Sequence, residues 1–305
     1  MRSVRRSSVF LVALLAACRT AAPAAPGGTA AQPAAAAPAV RHTHENLNAV
    51  LWMQTSVEYR GLTTQIYRGA QVALDRALKD AKSTAAVEQT GDPSALPPAV
   101  ILDLDETVLD NSAFQARQVA DSTPVKGIGY DPAAWARWVG EEKSGAIPGA
   151  VEFLEYARAR GVTPIYVTNR SVNDADGHGE AATRNVLRRL GVPVDETTDT
   201  VLVRGENGWD SSDKGPRRAF VAQHYRILLL VGDNFEDFVS VPPEGRSMAA
   251  RDALAAKYAD RWGTQWIVLP NPTYGSWEQA VTLGAPQGDD AAALALKHAA
   301  LRLER

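Results

Sequence analysis

Cysteine is almost absent. One cysteine in 305 residues excludes a disulfide-stapled scaffold. A basic surplus is also absent: 32 Lys and Arg stand against 35 Asp and Glu, and the pI is near 6.0. Nothing in that balance points to a nucleic-acid polymer as partner. No stretch holds the roughly 18 consecutive apolar residues that a transmembrane helix needs, and no internal repeat is visible. What is present is an ordinary globular composition, 45% apolar and 22% charged. That excludes an obligately disordered chain and leaves length for one core or at most two domains.

The first forty residues differ from the rest. Arg2, Arg5 and Arg6 form a positive leader, and Val9 to Ala17 form a short apolar stretch. That is the layout of an export signal and is too short to span a bilayer. The sole cysteine, Cys18, follows Leu15-Ala16-Ala17, which resembles the bacterial lipobox. The resemblance implies cleavage before Cys18 and lipidation of its thiol. Several acyl chains anchor firmly, because each buried CH₂ contributes about 0.8 kcal/mol. Arg19, where an Asp would favour inner-membrane retention, points to the outer membrane. Losing residues 1–17 removes three arginines, so the mature balance is 29 − 35 = −6. Residues 21–40 hold 11 Ala, 4 Pro and 2 Gly, with no charge, and read as a tether. The expected organisation is a lipoprotein signal over 1–17, lipid attachment and tether over 18–41, and a single folded domain over 42–305.

Residues 45–82 read as two helices separated near Gly61. Leu47, Val50, Leu51 and Val57 would form one apolar face, and Ile66, Ala70, Ala73 and Ala77 the next. Ala99 to Leu102 is a continuous apolar run, as in a strand buried on both faces. Helices then alternate with strands: helices over 149–160, 179–190, 213–224 and 247–262, and strands over 163–167, 200–203, 226–231 and 265–269. That alternation predicts an α/β fold, Rossmann-like, with a mainly parallel sheet. In such sheets ligands sit at the carboxyl ends of the strands.

Those ends carry Asp103-Leu-Asp105-Glu-Thr107, then Thr168-Asn169-Arg170, then Gly232-Asp233-Asn-Phe-Glu-Asp237. Lys214 opens the helix before the last strand. Asp103 and Asp105 are two apart and project to one side of an extended chain. Clustered carboxylates repel unless a cation offsets them, and Mg²⁺ with oxygen ligands is the usual choice at phosphate sites. One carboxylate can then attack phosphorus while the other handles protons. Lys214 and the Thr168 hydroxyl can hold phosphoryl oxygens as charge develops. Arg217 and Arg218, one turn on, are alternative sources of the cation.

These segments in this order resemble the haloacid dehalogenase (HAD) superfamily of phosphatases. They are more closely similar to its class C acid phosphatases of the lipoprotein e group, which act as 5′-nucleotidases. Ile147-Pro-Gly-Ala-Val-Glu-Phe153 and Leu269-Pro-Asn-Pro-Thr-Tyr-Gly-Ser-Trp277 extend the resemblance to roughly residues 44–285. It implies a HAD fold with a smaller helical cap, built from N-terminal and inserted helices. It implies Asp103 as nucleophile and Asp105 as acid/base. Mg²⁺ would be held by Asp103, the backbone carbonyl of Asp105 and Asp233, with Asp237 holding its waters. Thr168, Asn169 and Lys214 would bind phosphate. The implied substrates are small phosphomonoesters, above all nucleoside 5′-monophosphates, and the implied place is the cell surface.

Trp135 and Tyr274 are the aromatic candidates for stacking a base, a contact worth about 1–3 kcal/mol. Trp138 and Trp277 read as core residues. His42 and His44 read as a solvated helix start, and 171–180 as a solvated connection. Asp110 is a loop residue without an assigned role. Two other functions stay open from the residues: a surface lipoprotein that mainly binds a ligand such as a porphyrin, and a phosphotransferase on the same scaffold.

Overall fold

The computed structural model describes residues 44–121, 130–195 and 197–303. The signal, Cys18, the tether and His42 lie outside the described residues. In chain order the elements are α1 (Leu47–Thr55), α2 (Val57–Lys79), β1 (Pro98–Leu102), β2 (Leu109–Asp110), α3 (Ser112–Asp121) and α4 (Pro132–Glu141). There follow β3 (Gly145–Ala146), α5 (Ala150–Arg158), β4 (Thr163–Ser171), the single turn α6 (Asp174–Gly177), α7 (Gly179–Arg189) and β5 (Val201–Arg204). The chain continues with α8 (Gly215–His224), β6 (Arg226–Gly232), α9 (Met248–Lys257), β7 (Trp266–Val268), α10 (Ser276–Val281) and α11 (Asp290–Ala300). Among the described residues no helix is long and apolar enough to cross a membrane.

Five strands form one sheet in the order β5-β4-β1-β6-β7, and every pairing is parallel. The fold is the expected α/β type. Alternate β1 side chains enter opposite layers, as the two-residue strand period requires. Val100 and Leu102 join Leu74, Phe153 and Val186 on one face. Ala99 and Ile101 join Val221, Phe238 and Trp266 on the other. Helices α2, α5 and α7 thus cover one side and α8 the other. Phe153 is fully buried, and truncating such a side chain to Ala costs about 3–5 kcal/mol.

The first helices break at Ser56, not near Gly61. Ser56 has extended backbone and its hydroxyl accepts from the Tyr59 amide at 3.0 Å, capping α2. A serine cap contributes about 1 kcal/mol, comparable to the cost of one interior glycine, so Gly61 is carried inside α2. The second expected face holds: Ala70, Ala73 and Ala77 are buried, joined by Tyr59, Thr63, Tyr67 and Leu74, and Ile66 packs against the core. On the first, Val50 is buried but Leu47, Leu51 and Val57 are exposed. Tyr67 enters the core because its hydroxyl donates to the Thr107 carbonyl at 2.7 Å.

β1 sits at the switch point of the sheet, because the chain passes to β4 on one side and β6 on the other. Beyond its carboxyl end, the short β2–β3 ladder pairs Leu109 with Ala146 and Asp110 with Gly145. This ladder closes the base of an insert carrying α3 and α4. Asp110 accepts from the Ser112 amide at 2.8 Å and starts α3. Asp131 accepts from the Ala133 and Ala134 amides at 3.0 and 3.1 Å and caps α4, with Pro132 at its first turn. α4 packs on α6 and α7, and α3 packs on α1. Of the N-terminal helices only α1 joins this cap, since α2 lies against α5 and the sheet.

Residues 171–180 are more than a solvated connection. Asp174 accepts from the Ser171 amide at 2.8 Å and is half-buried, though Asp176 and His178 are exposed. His44 is buried, contrary to its reading as a solvated helix start, and its Nδ1 accepts from the Asn46 amide at 3.1 Å.

Candidate active site

The β1 register carries straight into the site. The Asp103 amide donates to the Val231 carbonyl at 2.9 Å, so the Asp103 backbone continues the β1–β6 pairing. The chain then folds back: the Leu104 carbonyl accepts from the amides of Thr107, Val108 and Leu109. Glu106 takes left-handed backbone, φ 58°, to make the turn. Such a conformation costs a non-glycine residue about 1–3 kcal/mol. Here the Glu106 carboxylate is held by the Asn111 amide at 2.9 Å and by the Tyr274 hydroxyl.

After β6, Asp233 and Asp237 meet Asp103. One carboxylate oxygen from each lies within 4.8 Å of the others. Asp237 is brought there by a 3₁₀ turn over Phe235–Asp237, and its Oδ2 accepts from the Asn234 amide at 2.9 Å. Gly232 makes room: a Cβ there would lie 2.3 Å from Asp237 Oδ2. The Thr107 hydroxyl lies 3.3 Å from Asp103 Oδ2 and 3.2 Å from Asp233 Oδ1. The Asn271 amide donates to Asp233 Oδ2 at 2.9 Å. Lys214, at the start of α8, donates to Asp103 and, at 2.6 Å, to Asp237.

The electrostatics follow from this crowding. Burial pushes the Asp103 carboxyl up to about 7, opposed by the Lys214 ammonium and aided by Asp237 and Asp105. Burial, Asp103 and Asp237 hold Asp233 well above the usual carboxylate range. Lys214 is raised: burial acts to lower it, and the two carboxylates outweigh burial. With all three acids ionised, three carboxylates less one ammonium would carry two units of negative charge, which is why burial and mutual repulsion raise Asp103 and Asp233 when no cation is bound. A divalent cation with hard oxygen ligands fits that donor set and that charge.

Asp105 faces another way. Its Oδ1 accepts from Arg170 Nε and from Asn111 Nδ2, both at 2.9 Å. Its side chain therefore stands apart from the three-carboxylate cluster, though it lines the same cleft. That cleft has a volume of about 540 Å³ and is lined by Asp103, Asp105, Lys214, Asp233 and Asp237, within the usual range for small-molecule sites.

The other sequence candidates divide. Asn169 is exposed and lines the cleft, and its amide group is pinned between the Ser212 carbonyl and Arg217. Thr168 is fully buried and is not among the cleft-lining residues; its hydroxyl accepts from the Arg170 amide at 3.1 Å. Arg217 and Arg218 do not reach the carboxylate cluster. The first binds the Thr168 carbonyl and Asn169, and the second binds Glu88. Trp135 and Tyr274 both line the cleft and are half-buried. Trp138 is buried and donates to Asn111 at 2.9 Å. Trp277 is 46% exposed and is not a core residue, because its indole nitrogen donates to the Tyr274 carbonyl at the rim.

Sequence reasoning passed over Asn111, Thr107, Arg170 and Asn271 as site residues. Each stands inside a quoted motif or, for Asn111, just beyond one, but only the third dimension shows which acid it serves. It also passed over α11, which lines the cleft through Asp290, Leu294 and Lys297.

Acids gathered at the switch point of a parallel sheet are suited to a small anionic ligand bound with a cation. The chain belongs to the HAD superfamily, subfamily IIIB acid phosphatases, whose family model matches residues 22–277. It is similar to the class C acid phosphatase from Bacillus anthracis, at 33% identity over 86% of this chain and 98% of that one, with a TM-score of 0.71. The structure of that enzyme with tungstate bound matches at 32% identity, over the same shares, with a TM-score of 0.68.

Proposed function

We propose that this acid phosphatase requires Mg²⁺ and releases phosphate from nucleoside 5′-monophosphates through an aspartyl-phosphate on Asp103. The observation that carries the reading is the convergence of Asp103, Asp233 and Asp237 with Lys214 at one buried point of the cleft. Asp103 and Asp233, with the Asp105 carbonyl, would hold the ion, and Asp237 would hold its waters. When bound, Mg²⁺ supplies positive charge to the phosphoryl oxygens and offsets the crowded acids.

The chain's own residues carry the steps. Asp103 attacks phosphorus, and the bond from phosphorus to the leaving oxygen breaks. Asp105, in its protonated form, gives its proton to that oxygen. Asp105 then takes a proton from water as the water attacks phosphorus, which frees phosphate and returns Asp103 as carboxylate. Lys214 holds phosphoryl oxygens with Asn169, while Thr168, buried off the cleft wall, accepts from the Arg170 amide behind them. Tungstate is a tetrahedral oxyanion like phosphate, so its binding to the similar enzyme supports a phosphoryl position in this cleft. Trp135 and Tyr274 line the cleft, which supports a reading in which they stack a nucleobase.

The envelope location belongs to the same reading: residues 1–17 removed, Cys18 lipidated and inserted in the outer membrane, 18–41 a tether, and 42–305 the enzyme. Phosphate removal there would turn charged nucleotides into nucleosides fit for uptake. The test is phosphate release from nucleotides, sugar phosphates and aryl phosphates, with EDTA and with added Mg²⁺. Mg²⁺-restored turnover that favours nucleoside 5′-monophosphates supports the reading. Full activity in EDTA, or no nucleotide turnover, contradicts it.

A further inference from the structure

We propose that Arg170 is the positioning residue that aims Asp105 at the leaving-group oxygen. This rests on the reading of Asp105 as the acid. Arg170 is the penultimate residue of β4, and its side chain is wholly buried. Nε and Nη2 approach the same oxygen, Asp105 Oδ1, at 2.9 and 2.8 Å. Asn111 Nδ2 donates to that oxygen too, at 2.9 Å. Three donors on Oδ1 orient the carboxyl group and leave Oδ2 as the oxygen to meet the leaving group.

The arrangement is held from behind. Asn111 Oδ1 accepts from Trp138 Nε1 at 2.9 Å, from Ser144 Oγ at 2.7 Å and from Arg170 Nη2 at 3.3 Å. Nη2 also reaches Ser144 Oγ at 3.2 Å. The guanidinium lies 5.6 Å from the ring centre of Trp135. Burying a guanidinium carries a desolvation cost of several kcal/mol, and Nη1 makes no hydrogen bond among the described residues. Packing alone would be served as well by an apolar side chain. What the arginine adds is two charged donors, Nε and Nη2, that converge on one oxygen of the Asp105 carboxyl group. Because Asn111 follows β2, Trp138 lies in α4 and Ser144 precedes β3, the same cluster ties the aim of Asp105 to the seating of the cap.

Misaiming an acid matters only where the leaving oxygen needs a proton. An alkoxide, such as a nucleoside 5′-oxygen, needs one; 4-nitrophenolate leaves nearly unaided. The experiment compares kcat/KM of Arg170→Gln on a nucleoside 5′-monophosphate and on 4-nitrophenyl phosphate. That ratio reports steps through departure of the leaving group, so hydrolysis of the acyl phosphate does not mask it. The expected result is a fall of about 10²–10³ on the alkyl ester and less than about 10-fold on the aryl ester, in keeping with the range for general acids. Equal falls on both overturn the proposal. Arg170→Lys keeps the charge without the paired donors; it should show the same split, smaller, and it decides the matter if the Gln variant does not fold. Asp105→Asn is run alongside. No split in Asp105→Asn defeats the acid assignment itself; a split there without one at Arg170 defeats only the role of Arg170.

Discussion

The Lys214 ammonium lies 2.6 Å from the Asp237 carboxylate, and both side chains are 6% exposed. The same nitrogen also pairs with Asp103. A buried lysine shared by two acids offsets part of their repulsion, and in the proposed mechanism it would meet a phosphoryl oxygen. Removing it leaves carboxylates without a partner, which typically costs about 3–5 kcal/mol. Lys214→Met is therefore expected to lose about that much stability in urea unfolding near neutral pH without a cation, and to lose about 10²–10³ in kcat. Added Mg²⁺ should recover part of the stability but not the turnover. A variant as stable and as active as the parent would remove Lys214 from the site.

Protons and the cation compete for the same acids. Burial raises Asp103 from 3.8 to about 7, and Asp233 is raised as well. A raised carboxyl favours the folded state fully below its unfolded value, and that contribution is lost as pH climbs through the folded value. The metal-free protein should therefore lose stability between about pH 4 and about pH 7. Mg²⁺ replaces the protons, so the rise in Tm that it produces should be larger near pH 7 than near pH 5. Thermal unfolding with and without Mg²⁺ at the two pH values measures this. A Mg²⁺ effect that shrinks as pH rises contradicts it.

Gly232 is needed for space. A methyl group there would come within 2.3 Å of Asp237 Oδ2 and 2.5 Å of its Cβ. Gly232→Ala should push Asp237 off its place, and disturbing the outer shell of a metal site commonly costs 10–100-fold in affinity (about that range is expected here). Calorimetric titration of Mg²⁺ reads the change directly. Unaltered affinity would separate Asp237 from the metal.

The far wall of the cleft is α11, which buries no residue of its own. It is tied by Lys297 to Glu45 at 2.6 Å and to Glu278 at 2.7 Å, pairs that are about one-quarter exposed. Exposed pairs of this kind contribute about 0–1 kcal/mol each. Removing residues 286–305 should leave the fold standing. It should raise KM for a nucleoside monophosphate, and leave kcat/KM for a small aryl phosphate within about 2-fold, a loss of uniform binding energy. Equal loss on both substrates would mean that α11 supports the core.

The sheet was legible because burial on both faces leaves a plain trace: Ala99 to Leu102 and Arg226 to Val231 are the apolar runs that became β1 and β6. The acids were legible because they follow those strands directly. The helix break was misplaced because a serine cap at Ser56 outweighs the glycine signal at Gly61. Tyr59 and Tyr67 were missed as core because an apolar pattern counts no tyrosine, whether its hydroxyl is satisfied, as in Tyr67, or makes no hydrogen bond among the described residues, as in Tyr59. Trp277 reads as core by its residue type, while its indole N–H is satisfied at the rim. The link of Arg170 to Asp105 spans 65 positions, and polar networks of that reach leave no periodic trace. α11 was invisible for a related reason: it faces a cleft and not a core.

The central claim is that Asp103 becomes phosphorylated. Turnover quenched in acid and reduced with borohydride converts an acyl phosphate at that carboxyl to homoserine, and peptide mass spectrometry locates it. The account predicts homoserine at position 103 in the parent. It also predicts a folded Asp103→Asn variant with neither the adduct nor turnover. An adduct at another residue, or near-normal kcat in Asp103→Asn, would contradict it.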